Sequence, residues 1–227
     1  MSDTGSYYSI NPHATDNKGP GNATRRLVFG WVTGGTTHAV QAGTVPYWQS
    51  AHSILRLMTV RGDHMVQTPA PEIELLRGKH TAFGPKAFRS TDTALLPGLT
   101  GTALEIIATF GVGSGGPTEA TEFGVTVRKG ATTPGVNIAY APATQTVNGW
   151  YAGMAPQPQG NGTVTLRIFL DRSVMEVYTG GAAMTSRIML GGAAEPTDRV
   201  ALYCNSGNAK LLSLDAWEMG SMWGPVS

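Results

Sequence analysis

The chain has 227 residues, and its 16 lysines and arginines against 15 aspartates and glutamates give a formal net charge of +1 at pH 7. The basic residues are scattered, whereas nucleic-acid binding normally needs a basic face that neutralises phosphates. No apolar run approaches the length that spans a bilayer. Thirty glycines and fourteen prolines are spread along a chain that is only 14% charged. This composition excludes nucleic acid and membrane as expected partners and favours many short strands joined by turns.

The first third of the chain predicts short strands separated by loops. Residues 3–11 predict a turn and a short strand, and residues 12–24, rich in Pro, Asn, Asp and Gly, predict a loop. Apolar β-formers predict a strand from Arg25 to Val32, and another over residues 57–60. Residues 71–77 are the nearest candidate for a helix, because a proline stands at a suitable first helical position.

Residues 166–190 predict three consecutive antiparallel strands. Apolar and polar residues alternate along the first strand, which Asp171-Arg172-Ser173 interrupts with a turn or bulge. Gly180-Gly181 supplies the positive φ of a tight reversal, and residues 185–190 return as the third strand. The second strand places on one face Val174, Glu176 and Tyr178.

Other strands follow at intervals typical of a β-sandwich, so the fold class is predicted to be all-β with an antiparallel sandwich. Residues 111–120 and 142–161 are predicted to be long mobile loops, since they are rich in Gly, Pro and Gln. The additional predicted strands are residues 104–110, 123–128, 136–140, 199–204 and 210–217.

The stretch Leu166-Arg-Ile-Phe-Leu-Asp-Arg-Ser-Val-Met-Glu-Val-Tyr, followed by Thr185-Ser-Arg-Ile, resembles the signature of the C-terminal β-sandwich of glycoside hydrolase family 32, the β-fructosidases. The resemblance implies a remnant of the last blade of a five-bladed β-propeller over residues 1–78 and a concanavalin- or lectin-like sandwich over residues 79–227. The chain would then begin within that blade. Three other segments resemble the family: Asp3-Thr-Gly-Ser-Tyr-Tyr, Arg26-Leu-Val-Phe-Gly-Trp-Val and Trp48-Gln-Ser-Ala-His-Ser-Ile-Leu-Arg56. The stretches that begin at Met65 and at Leu211 resemble it as well.

The resemblance implies the chemistry of a retaining glycosidase, which needs two carboxyl groups about 5–5.5 Å apart. Family 32 supplies its carboxylates in Asn-Asp-Pro, Arg-Asp-Pro and Glu-Cys motifs, and this sequence contains no Asn-Asp, Asp-Pro or Glu-Cys dipeptide. No catalytic residue is therefore assigned. The resemblance implies the C-terminal portion of a β-fructofuranosidase that cuts terminal β-fructosyl bonds of sucrose or fructans, supporting the catalytic propeller. The alternatives are a non-catalytic carbohydrate- or protein-binding module and an inactive truncated homologue.

The acidic residues within the signature are assigned structural roles. Asp171 is expected to cap its turn through Ser173 or nearby backbone N–H groups, and Glu176 to pair with an arginine such as Arg187 across the strands. Together with Arg172, these residues form the structural signature. An exposed sheet offers neither a cleft nor the desolvation that a catalytic acid needs.

Aromatic side chains are the candidates for carbohydrate binding. Tyr7 and Tyr8 match an aromatic pair that, in the family, lies near the rim of the fructose pocket; the alternative is that they pack between blade and sandwich. Trp217 and Trp223 are expected in the core or an interface. Further aromatics expected near blade ends or loops are Trp31, Tyr47, Trp48 and Trp150.

No metal or cofactor is expected, because the five histidines show no ligand spacing. The single cysteine, Cys204, cannot form an internal disulfide and is expected to be a small buried hydrophobe. The N-terminus lacks the features of a signal peptide, although the resemblance implies an extracellular or vacuolar protein, and Asn22 and Asn161 begin glycosylation triplets. Open blade edges would need a propeller-bearing chain or self-association.

Overall fold

The structure is a computed structural model that describes residues 3–33, 51–92, 94–113, 119–149, 152–155, 162–188 and 196–222. Within these ranges most residues lie in strands, and no helix is long and apolar enough to cross a membrane. Two short 3-10 helices, η1 (Pro20–Asn22) and η2 (Pro71–Leu76), join strands. The strands are β1 (Thr4–Gly5), β2 (Tyr7–Asp16), β3 (Arg25–Val32), β4 (Ala51–His52), β5 (Arg56–Arg61), β6 (His64–Pro69), β7 (Arg77–Phe83), β8 (Lys86–Arg89), β9 (Leu95–Thr100), β10 (Ala103–Gly111), β11 (Glu122–Lys129), β12 (Val136–Ala141), β13 (Thr146–Gly149), β14 (Ala152–Met154), β15 (Thr163–Asp171), β16 (Val174–Thr179), β17 (Ala182–Arg187), β18 (Arg199–Asn205) and β19 (Asn208–Met219).

Two sheets form a β-sandwich around one apolar core. The eight-stranded sheet has the order β1-β17-β16-β15-β10-β19-β7, with β8 also paired to β19, and the six-stranded sheet has the order β14-β13-β12-β11-β18-β9. Apolar side chains of both sheets meet between them, where Phe110 packs between Phe88 and Phe123. This confirms the prediction of an all-β fold with an antiparallel sandwich.

Alternation along the strands decides which residues enter that core. In β15 and β16, Ile168 stands opposite Val177, and both are fully buried in the core. The next pair along these strands, Phe169 opposite Glu176, points to the other face of the sheet. The predicted shared face of Glu176 and Tyr178 is thus the outer face of the eight-stranded sheet.

The N-terminal third forms a separate five-stranded sheet that covers this outer face. Its order is β2-β3-β5-β6, and β4 pairs with the end of β3 beyond β5, so the sheet is four strands wide. All its pairings are antiparallel. A four-stranded antiparallel sheet is the unit of a β-propeller blade.

The structure corrects three boundaries. Residues 12–24 are not wholly loop, because β2 continues to Asp16; it is an edge strand with register shifts on both sides of Asn11, which let it accommodate Pro12. The predicted loop over residues 142–161 contains β13 and β14. The third strand of the 166–190 stretch is β17, which begins at Ala182 rather than Thr185.

Sequence reasoning also missed β7, β8 and β9. These strands have few apolar residues in alternation and are fixed by pairing with β18 or β19. The helix expected over residues 71–77 is present as η2, with its proline at the start. Several residues singled out above lie outside the described residues: Tyr47, Trp48, Trp150, Asn161, Leu190 and Trp223, together with the side chain of Asn22.

Candidate functional site: a buried ion cluster between the sheets

The outer face of the eight-stranded sheet carries acidic side chains that are fully buried. Glu105 is 0% exposed and Glu176 is 1% exposed. Carboxylates are almost never fully buried unless they are paired. Since both point away from the sandwich core, their burial shows that the five-stranded sheet and η2 seal this face.

Arg56, at the start of β5, is the centre of the seal and is 0% exposed. Its Nε donates to Oε2 of Glu176 at 3.0 Å, and its Nη2 donates to the same oxygen. The hydroxyl of Tyr178 also donates to that oxygen at 2.6 Å, while the backbone N–H of Ile54 donates to Oε1 at 2.6 Å. Glu176 therefore receives four hydrogen bonds, two of which come from a guanidinium 120 residues away in sequence.

Asp3 binds the other side of the same guanidinium. Its Oδ2 accepts from Nη1 of Arg56 at 2.6 Å and from Oγ1 of Thr185 at 2.8 Å. Arg56 also donates to Oε1 of Gln67 at 3.1 Å and to Thr185 at 2.6 Å. We name Asp3, Arg56, Gln67, Glu176, Tyr178 and Thr185 the buried ion cluster.

Two tyrosine rings enclose this guanidinium. The Cζ atom of Arg56 lies 4.1 Å from the ring centroid of Tyr7 and 5.2 Å from that of Tyr178. Both distances fall within the range of cation–π attraction. The ring of Tyr7 reaches this position because residue 30 is glycine; a Cβ there would lie 2.2 Å from a Tyr7 ring carbon.

Burial dominates the electrostatics of the cluster. It raises the pKa of the Asp3 carboxyl, and the nearby Glu176 adds to the rise, although Arg56 and Thr185 act in the opposite direction. Burial also raises the pKa of Tyr178 well above its ordinary value. For Arg56, burial acts to lower the pKa, but the attraction of Glu176 and the other surrounding groups outweighs it and the pKa is raised. Arg56 is therefore always charged.

A short backbone link ties the cluster to the edge of the sandwich. The two-residue strand β1 pairs in parallel with β17, placing Gly5 opposite Thr185. The N–H of Ser6 donates to the carbonyl of Thr185 at 2.7 Å, and the N–H of Thr33 donates to the carbonyl of Ser6 at 2.8 Å. Residues 3–6 therefore join the eight-stranded sheet to β3 of the five-stranded sheet.

A second ionic group lies further along the same face. Glu105 accepts hydrogen bonds from Arg77 at 2.7 and 2.8 Å and from Arg167 at 2.7 Å. The Cζ atom of Arg77 lies 4.0 Å from the ring centroid of Trp217, which also stacks on His80. Trp217 thus lies on the outer face of the eight-stranded sheet, consistent with the interface position expected for it.

The helix η2 contributes one carboxylate to each side. Glu72 accepts from Arg25 of the five-stranded sheet at 2.7 Å. Glu74 accepts from Arg167 of the sandwich at 3.0 Å. The two glutamates of η2 therefore bind arginines of the two sheets that η2 connects.

The structural-signature residues separate into two groups. Glu176 lies in the buried ion cluster, but its partner is Arg56, and Arg187 stands opposite Val174 instead. Glu176 therefore pairs with an arginine, as predicted, but with Arg56 rather than Arg187, because local alternation does not indicate which side chain of another sheet meets this face.

The other signature residues lie at the turn between β15 and β16. Asp171 is exposed and pairs with Val174 at the end of the strand. Arg172 has a φ of 51°, and its carbonyl accepts from Arg128. The carbonyl of Ser173 accepts from the N–H of Ile188 at 2.7 Å. These residues shape a turn on the sandwich and make none of the contacts that define the buried ion cluster.

The predicted aromatic pair is also divided. Tyr7 packs on Arg56, and its hydroxyl is buried. Tyr8 is 62% exposed and forms an edge-to-face contact with Trp31, which is 45% exposed, at 6.3 Å between ring centroids. Adjacent residues of β2 therefore face opposite sides of the five-stranded sheet.

Arg56, Asp3 and Thr185 were not singled out as site residues from the sequence. Each lies in a separate segment that carried the family resemblance, so three distant pieces of the pattern meet in one cluster. With side-chain exposures of 0 to 2%, its charged groups leave no access for a substrate. Among the described residues, no group of His, Cys, Asp or Glu could hold a metal ion. The arrangement can fasten two sheets together.

Comparison with known proteins agrees with this architecture. The family described as "Glycosyl hydrolases family 32 C terminal" matches residues 72–218. A levanase of Bacillus subtilis (strain 168) is 31% identical over 229 residues, covering 90% of this chain and 32% of the levanase. Beta-fructofuranosidase 1 of Zea mays is 25% identical, covering 88% of this chain and 37% of that protein.

Solved structures give the same result for the fold. Fructan 1-exohydrolase IIa from Cichorium intybus superimposes with a TM-score of 0.75 at 17% identity, covering 97% of this chain and 49% of that chain. The chain thus spans about a third of the curated relatives and half of this structure. Because the family matches residues 72–218 and these residues form the sandwich, this chain belongs to glycoside hydrolase family 32.

Proposed function

We propose that these residues are the C-terminal portion of a β-fructofuranosidase-like glycoside hydrolase that cleaves terminal β-fructosyl bonds of sucrose or fructans. Their task is to support a catalytic propeller. The observation that carries the proposal is the buried ion cluster, which fastens a blade-like sheet to the sandwich through Arg56 and Glu176. A sheet held in a fixed orientation on the sandwich can in turn position the rest of a catalytic propeller.

We propose that the boundary between the two units lies at η2, close to the expected position at Gly78. In support, β6 ends at Pro69 within the five-stranded sheet, and β7 begins at Arg77 and pairs with β19 of the sandwich. The helix between them carries one carboxylate for each unit, Glu72 for the first and Glu74 for the second. We therefore assign residues up to η2 to the blade and those after it to the sandwich.

Hydrolysis of sucrose and inulin tests the proposal. The 227-residue chain alone is expected to release no fructose, because it lacks the family's carboxylate motifs. A chimera, in which this chain replaces the matched stretch of the Bacillus subtilis levanase, is expected to release it. Turnover by the chain alone that is lost in Asp171→Asn or Glu176→Gln would overturn our placement of the chemistry.

We also propose a sugar contact at the outer side of the five-stranded sheet, where Tyr8 and Trp31 expose their rings. Tyr7 is assigned to packing, because its ring lies on Arg56. The exposed rings also support self-association of the chain when no further blade covers them.

The ring contact predicts a change in substrate binding. In the chimera, Tyr8→Ala is expected to raise KM by roughly two- to tenfold with kcat retained, since a lost ring contact is equivalent to about 0.5–1.5 kcal/mol. Met65→Ala, an exposed residue of the same sheet, is the matched control and should leave KM unchanged. Equal effects of the two substitutions would remove the sugar contact from the proposal.

A further inference from the structure

The charges in the buried ion cluster do not balance. Two carboxyl groups, Asp3 and Glu176, face one guanidinium, Arg56, and their side chains are only 2%, 1% and 0% exposed. With both carboxyls ionised the cluster holds a net charge of −1. An uncompensated buried charge is costly, and such a site commonly binds a proton instead.

The hydrogen bonds show which carboxyl would hold the proton. Glu176 accepts four hydrogen bonds, from Ile54, Tyr178 and two nitrogens of Arg56, and both of its oxygens are used. Asp3 accepts two, both at Oδ2, whereas its buried Oδ1 accepts none from the described residues. Hydrogen bonds to an ionised carboxylate stabilise its charge, so Glu176 keeps its charge and Asp3 is the weaker site.

The groups around Asp3 do not offset this difference. The charged groups that act on it most strongly are Arg56 from β5 and Glu176 from β16, and β17 contributes the neutral hydroxyl of Thr185. The Tyr7 phenol from β2 stays neutral, because burial raises its pKa. The pKa of Arg187, two residues beyond Thr185 on β17, is lowered by burial. The Tyr178 phenol stays neutral because burial raises its pKa.

We propose that the five-stranded sheet docks on the sandwich with uptake of one proton from solvent, held on Oδ1 of Asp3, so that mild acid favours the docked state. This coupling concerns docking and does not depend on the proposed catalytic role. When the two units separate, Asp3 becomes exposed to water. At pH values above its ordinary pKa it then releases the proton, and water solvates the carboxylate. Docking and proton uptake therefore stabilise each other.

The sign follows from the direction of the shift. In the docked state the pKa of Asp3 lies above the ordinary value of 3.8, mainly through burial. Protonated Asp3 therefore stabilises docking fully at pH values below 3.8, and this stabilisation is lost as the pH rises through the raised pKa. Asp16 acts in the opposite sense, since hydrogen bonding to Arg25 lowers its pKa to about 2, and its contribution is lost only as the pH falls from 3.8 towards that value.

The test uses the 227-residue chain between pH 4 and pH 8. The carboxyl carbon of Asp3, followed by NMR, is expected to titrate above 3.8. Docking is followed by hydrogen-exchange protection factors of the Ile54 amide, which donates to Glu176, and of the Ser6 amide, which donates to Thr185. These factors are expected to fall as the pH rises, by at most about tenfold per pH unit for one linked proton.

Two substitutions separate this linkage from general effects of pH. Asp3→Asn should abolish the pH dependence of both protection factors, because the amide cannot take up the proton. Asp16→Asn, on the same sheet, should leave it unchanged above pH 4. An Asp3 carboxyl that is already mostly ionised at pH 4, or an unaltered slope in Asp3→Asn, would overturn the proposal. If Asp3→Asn does not fold, the titration of the unsubstituted chain decides alone.

Discussion

Replacing Arg56 by methionine is expected to release the five-stranded sheet from the sandwich. The substitution leaves Glu176 and Asp3 buried without their shared cation. Removing one partner of a buried ion pair destabilises a protein by about 3–5 kcal/mol. The rings of Tyr7 and Tyr178 also lose the guanidinium on which they pack. The loss is expected to be local, because the sandwich core does not include Arg56.

Hydrogen exchange distinguishes this local release from global unfolding. In Arg56→Met, the Ile54 amide should lose protection, whereas the amide of Ile168, in the centre of the sandwich, should keep it. Arg61→Met is the matched control: Arg61 ends the same strand but is exposed, so its replacement should change neither amide. Unchanged protection of Ile54 in Arg56→Met would show that the ion cluster does not hold the sheets together.

A double-mutant cycle tests whether Arg56 and Glu176 act as a pair. Glu176→Gln removes the charge that Arg56 neutralises while keeping the size of the side chain. If the two residues stabilise docking through their contact, the double variant should lose clearly less than the sum of the two single losses. Additive losses would assign the effect of Arg56 to its other partners, Asp3 and Thr185.

The sandwich could be predicted from sequence because its strands carry their own signal. The alternation around Ile168 and Val177 fixes which residues face the core, and the glycines at 180 and 181 mark the reversal, with φ values of 51° and 82°. By contrast β13 and β14 lie in a stretch rich in Gly, Pro and Gln. They are strands because β12 offers a pairing edge, which sequence alone does not reveal.

The buried ion cluster was only half predictable, for a similar reason. The family resemblance marked Glu176 as structural, and cross-strand pairing favoured an arginine partner. Its strand neighbours made Arg187 a reasonable choice, but the actual partner, Arg56, lies 120 residues away on another sheet. A long-range contact of this kind depends on how two sheets dock, and local periodicity contains no information about that docking.

The same distinction predicts what happens when the sandwich itself is weakened. Phe110 is 0% exposed, and its ring centroid lies 6.3 Å from that of Phe88 and 5.6 Å from that of Phe123. Phe110→Ala is therefore expected to lower the free energy of unfolding by about 3–5 kcal/mol, through lost apolar burial and the cavity left behind. Urea denaturation measures this loss, and Phe83→Ala, at a partly buried edge of the same core, should cost clearly less.

Phe110→Ala should also differ from Arg56→Met in which part of the chain opens. Glu176 and Thr185 lie on β16 and β17, which are held in place by the core that Phe110 fills. Weakening that core should lower protection of both Ile168 and Ile54, whereas Arg56→Met should lower that of Ile54 alone. If Phe110→Ala exposed Ile168 and left Ile54 protected, the five-stranded sheet would not depend on the sandwich. The expected order makes the sandwich the foundation on which the five-stranded sheet is fixed.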